Sequence, residues 1–66
     1  MSYRCELRFL PKNTPFRFLR GRKTYLKLSH RLILQTVVDK DLYEVTGIGK
    51  AIKLTEEDKK RIVVRL

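Results

Sequence analysis

The stretch Phe16-Arg17-Phe18-Leu19-Arg20-Gly21-Arg22-Lys23-Thr24-Tyr25-Leu26-Lys27-Leu28 constrains this chain more than any other, because a hairpin there must choose which side chains share a face. Side chains alternate along a strand, and residues directly opposite each other project from the same side. A hairpin centred on Arg22 sets Phe16 against Leu28 and Phe18 against Leu26, a coherent apolar face, with Arg17 against Lys27 and Leu19 against Tyr25 on the other. A two-residue Gly21-Arg22 loop sets Phe16 against Lys27 and Arg17 against Leu26, which mixes apolar and charged groups. The expected register is therefore the odd loop. Phe16, Phe18, Leu26 and Leu28 then belong to the core, and Arg17, Arg20, Arg22, Lys23, Tyr25 and Lys27 form an outer cationic layer.

Other segments repeat the period of two. Tyr3, Cys5, Leu7 and Phe9 alternate with Arg4, Glu6 and Arg8, which predicts a half-buried strand over 3–9. Pro11 and Pro15 bracket a loop. Ser29-His30-Arg31 is a short polar link. Leu32–Val38 is apolar and β-branched on both parities, as for a strand covered on both sides. Asp39-Lys40-Asp41 predicts a tight turn, 42–46 a strand, Gly47-Ile48-Gly49-Lys50 a second turn or bulge, and 51–54 a short strand. Thr55-Glu56-Glu57-Asp58 has the form of a helix start, with a hydroxyl for exposed amides and acids at the positive end of the dipole. The alternation resumes at Ile62, so a single helical or 3-10 turn precedes a closing strand.

These segments predict one mainly β domain over residues 1–66, a small SH3-like barrel of five to seven short strands with one helical or 3-10 turn before the last. Phe16-Arg17-Phe18 followed by Tyr25-Leu26-Lys27-Leu28-Ser29 resembles a pattern in small phage and prophage proteins of that architecture. The resemblance spans about residues 14–66. This chain has Asn13-Thr14-Pro15 where that family usually has Gly-Asp, and it adds a strand over 3–9. The resemblance implies the fold and a phage origin and assigns no binding residue.

With 66 residues the core is small, and such chains usually lean on disulfides, a metal or a partner. One cysteine and one histidine allow neither an intrachain disulfide nor a four-ligand zinc site within a chain, which leaves self-association into a homo-oligomer. Cys5 reads as a small buried apolar residue in a reducing compartment, and a cytoplasmic, non-membrane protein is the expectation.

No constellation predicts an enzyme. His30 has no triad partner at a telling spacing, and the turn at Asp39, Asp41 and Glu44 lacks the glycine and closing glutamate of a calcium loop. Gly47-Ile48-Gly49-Lys50 is too short for a phosphate loop, and Glu56, Glu57 and Asp58 are explained as helix-start acids. No cofactor or metal is expected.

Charge is the remaining signal. Residues 1–31 hold nine bases and one acid, whereas residues 32–66 hold seven bases and six acids. A net charge of +9 concentrated in one half points to a polyanionic partner. The expected function is a non-enzymatic module that binds DNA or RNA through Arg4, Arg8, Arg17, Arg20, Arg22, Lys23, Tyr25, Lys27 and Arg31. Cations neutralise phosphates, and Tyr25 or Tyr43 can stack on bases, whereas Phe9, Phe16 and Phe18 are assigned to the core. The alternatives are a phage-encoded inhibitor or adaptor on an acidic host protein surface, and an oligomeric binder of small anions such as nucleotides.

Overall fold

A computed structural model of the protein describes residues 3–39 and 41–66. In chain order these form β1 (Tyr3–Glu6), a 3-10 helix (Leu7–Phe9), β2 (Pro15–Phe18), β3 (Thr24–Lys27), β4 (Leu32–Asp39), β5 (Glu44–Lys53), α1 (Glu56–Lys60) and β6 (Ile62–Arg65). The fold is mainly β. Its six strands make one open antiparallel sheet in the order β1-β6-β2-β3-β4-β5, so the last strand is inserted between the first two. None of the described helices is long and apolar enough to cross a membrane.

The core lies on one face of the sheet. Cys5 is opposite Val63, Val63 opposite Phe18, Phe16 opposite Tyr25, and Lys27 opposite Ile33. Leu7, Leu10, Phe16, Ile33, Leu54 and Val63 are buried together there, with Cys5, Phe18 and Tyr25 packed against them.

The hairpin register differs from the expected one. Phe16 pairs with Tyr25, not Leu28, and Arg17 pairs with Thr24. The chain reverses over Phe18–Gly21, where the Gly21 amide donates to the Phe18 carbonyl at 2.9 Å. Tyr25 and Lys27 therefore point into the core side, and Leu26 moves to the outer face opposite Leu34. Two interactions compensate this exchange. The Tyr25 ring stacks on Phe16 at 5.8 Å and meets Phe18 edge-on at 5.5 Å, with Phe16 and Phe18 themselves edge-to-face at 5.6 Å. Such pairs add about 0.5–1.5 kcal/mol beyond their buried area.

Lys27 supplies the second. It is 1% exposed, and its Nζ donates to the carbonyls of Leu7 (2.9 Å), Arg8 (3.3 Å) and Leu10 (2.6 Å). Three acceptors match the three protons of an ammonium. Burial holds its pKa below the ordinary lysine value, with an opposing, smaller pull upward from neighbouring Cys5.

The same lysine accounts for the end of the first strand. The expected strand over 3–9 stops at Glu6, and Leu7–Phe9 form a 3-10 turn whose carbonyls face Lys27. Residues three apart share a side of a 3-10 helix, so Leu7 and Leu10 both go inward. Phe9, expected in the core, is 63% exposed and lies beneath the Arg8 guanidinium at 4.7 Å.

At the other end, β4 and β5 form a long hairpin. The strand expected over 42–46 begins at Glu44, because Leu42 and Tyr43 belong to the turn, with Tyr43 at φ 55°. Asp39 Oδ1 caps that turn, accepting from the amides of Asp41 and Leu42 at 3.0 and 3.2 Å; Lys40 lies outside the described residues. Of the turn or bulge expected at Gly47–Lys50 the bulge forms, inside one continuous strand and between the Ile33–Ile52 and Gln35–Ile48 pairs. A Cβ on Gly47 would stand 2.5 Å from Leu34 Cδ2 and push that leucine's methyl aside, and Gly49 takes φ 74°, which favours glycine. Nor is β4 covered on both sides, since Val37 is 54% exposed. The capping box of α1 forms as expected. Thr55 Oγ1 accepts from the Asp58 amide at 3.2 Å, and Asp58 Oδ2 accepts from the Thr55 amide at 3.1 Å.

Candidate nucleic-acid interface

The β2–β3 turn carries Arg20, Arg22 and Lys23, all exposed. Its position is set from two sides. The Leu19 amide donates to the Ile62 carbonyl at 3.1 Å, which ties the turn to the start of β6. Arg17 Nη1 donates to the Leu19 carbonyl at 3.1 Å and to the Phe18 carbonyl at 3.4 Å, which braces it from the outer face.

Insertion of β6 beside β2 brings in a residue that no nearby sequence signal marks, Arg61. It follows α1 as the C-cap, its amide bonded to the Asp58 carbonyl at 3.2 Å. Its guanidinium carbon sits 4.0 Å from the centroid of the Phe18 ring, a cation–π geometry, and its Nη1 is 4.0 Å from Asp58 Oδ1. Two shallow concavities meet at Arg61. One is lined by Phe18, Gly21, Arg22, Lys23, Tyr25 and Arg61, the other by Leu19, Arg20, Arg61 and Ile62. Together they make a shallow groove on either side of Arg61: Arg22, Lys23 and Arg61 surround Phe18 and Tyr25, and Arg20 stands in the adjoining part beside Leu19 and Ile62. Among the described residues, Arg20, Arg22 and Lys23 make no ion pair.

The residues expected to bind from sequence thus separate into groups. Arg20, Arg22, Lys23 and Tyr25 come together in the groove. Lys27 is corrected: with its ammonium buried on three carbonyls, it holds the 3-10 turn and does not reach a partner. Arg17 is half-buried and committed to the turn backbone. Arg8 pairs with Glu6, Nε to Oε1 at 3.2 Å, and covers Phe9. Arg4 and Arg31 are exposed and line neither concavity. Tyr43 is 94% exposed but belongs to the β4–β5 turn.

Chemically, the groove offers positive charge and an aromatic surface. Among the described residues no three His, Cys, Asp or Glu side chains gather as a metal site. Comparison with known protein families, curated proteins and solved structures returned no match.

Proposed function

We propose that this protein is a non-enzymatic nucleic-acid-binding module whose contact surface is the groove around Arg61. The observation that carries the reading is the convergence of Arg22, Lys23 and Arg61 on an aromatic floor of Phe18 and Tyr25, with Arg20 in the adjoining concavity, on a chain of net charge +9. The cations hold phosphates and release counterions, and the aromatic floor of Phe18 and Tyr25 offers a surface on which an unstacked base can pack. The reading includes the SH3-like, phage-type architecture expected from residues 14–66 and a cytoplasmic place of work, where free Cys5 stays reduced.

The test is a fluorescence-polarisation titration of oligonucleotides across salt. Affinity should fall as salt rises, with a log–log slope of about −0.7 per phosphate contacted on a single strand. Replacing Arg20, Arg22 and Lys23 with Ala should flatten that slope. Absence of binding at low salt, or affinity indifferent to salt, defeats the proposal.

A second reading, docking on an acidic protein surface, is favoured by the exposed apolar Leu19 and Ile62 beside Arg20 and Arg61. Capture of a protein from lysate that survives nuclease treatment, and is lost in Leu19→Asp, selects it over the first.

A further inference from the structure

The β4–β5 hairpin is built unlike the rest of the molecule. Strand β3 follows β4 only as far as the Thr24–Thr36 pair, so Val37–Asp39 are paired with β5 alone. This outer part is a two-stranded ribbon with apolar groups on both faces: Val37 on the core side, Val38 and Val45 on the other. An apolar depression lined by Pro15, Val38, Asp39, Tyr43, Val45 and Leu66 reaches Val45 from that second side. All ten residues of β5 are exposed, and its far edge has no neighbour among the described strands. An isolated ribbon of this kind is marginally stable in water, and a long open edge is a template for another strand.

The edge is guarded in only one half. The Gly49 bulge and Lys50 interrupt the inner end, whereas Glu44–Ile48 contains no proline, bulge or lysine. Charge then identifies the occupant. Residues 39–53 hold three acids (Asp39, Asp41, Glu44) and three bases (Lys40, Lys50, Lys53), so this segment is neutral while the remainder carries the whole +9. It is the part of the chain where a second copy meets no net repulsion. The charges are also ordered along it: Asp39, Asp41 and Glu44 outnumber Lys40 at the turn end, and Lys50 and Lys53 stand toward α1. Antiparallel pairing of β5 with itself sets the acidic end of each copy beside the basic end of the other. Pairing of β5 with β1 of another copy would instead bring Arg4 toward Lys50 and Lys53, and being head-to-tail it need not close.

We infer that two copies of this chain pair antiparallel through β5, about a two-fold axis at Thr46, joining two six-stranded sheets into one. The inference rests on other residues than the nucleic-acid reading, and each stands without the other.

Light scattering on nuclease-treated protein at micromolar concentration should give twice the chain mass. Ile48→Lys should return the monomer with unchanged circular dichroism, since Ile48 is exposed on an edge strand. In a Cys5→Ser background, Thr46→Cys should form a disulfide-linked dimer on mild oxidation, because residues opposite each other across antiparallel strands are about 4.5–5.5 Å apart at Cβ. Lys53→Cys, far from the axis, should not. A monomer mass for the unsubstituted protein overturns the inference, as does a dimer that cross-links through Lys53→Cys and not through Thr46→Cys.

Discussion

The β2–β3 hairpin and the β4–β5 hairpin use similar side chains to opposite ends. The first sends aromatics inward, buries a lysine, and leaves its turn cationic around a groove. The second leaves valine and isoleucine in water on both faces and balances its charges. The difference comes from neighbours. β2 lies between β6 and β3, with the 3-10 turn over the shared face, while the outer β4–β5 ribbon has no further strand paired to it. A strand's composition therefore says little about its burial until its position in the sheet is known.

This contrast can be broken most sharply by truncation. Phe16→Ala, in the centre of the core, should cost about 3–5 kcal/mol and leave so small a domain largely unfolded. Val37→Thr, on the ribbon, should change the chain's own stability by about 0.5 kcal/mol or less. Urea denaturation of both checks the pair, and similar losses would show that the ribbon is as integral as the core.

Lys27→Met tests whether the buried ammonium is part of the first region's stability. It keeps the stem but leaves the carbonyls of Arg8 and Leu10 without this donor, while Leu7 keeps the Leu10 amide at 3.1 Å, at about 1–3 kcal/mol for an unsatisfied buried group. A pH signature accompanies it. With the folded pKa below the unfolded value of about 10.4, the unfolded chain holds more protons between the two. Stability from this group should therefore rise with pH across that alkaline window, and the rise should vanish in Lys27→Met.

Within the ribbon, Gly49→Ala places a side chain at φ 74° and should cost about 1 kcal/mol, measurable as a lower Tm. Outside both hairpins, the cap of α1 follows β5 in the chain and has a local effect of its own. Asp58→Ala should cost about 1 kcal/mol at neutral pH. The Thr55 amide and hydroxyl hold the Asp58 carboxyl below its usual value. Its contribution is thus complete above the unfolded value of about 3.9 and is lost as pH falls through the folded one, so acid titration of the variant should lack that part of the decline.

Local chemistry was readable from the residues alone. The alternation of Tyr3–Glu6 and of Ile62–Arg65, the Thr55–Asp58 capping box, and the glycines that permit a bulge all depend on groups a few positions apart. So was the charge of the β2–β3 turn, because a tip of arginines and lysine stays in solvent in either register. Hairpin register was not readable, since both parities of Tyr25–Leu28 offer something to bury. What decided it was the set of carbonyls at Leu7, Arg8 and Leu10, at least seventeen residues from Lys27. Arg61 likewise entered the groove only because β6 inserts between β1 and β2. The alternation of β1 and β6, the cap and the cationic tip each rest on short-range energies. Which face Lys27 takes, which arginine joins the groove and which strand is left at the edge depended on contacts between distant segments, where the gain from pairing exists only once the sheet is assembled.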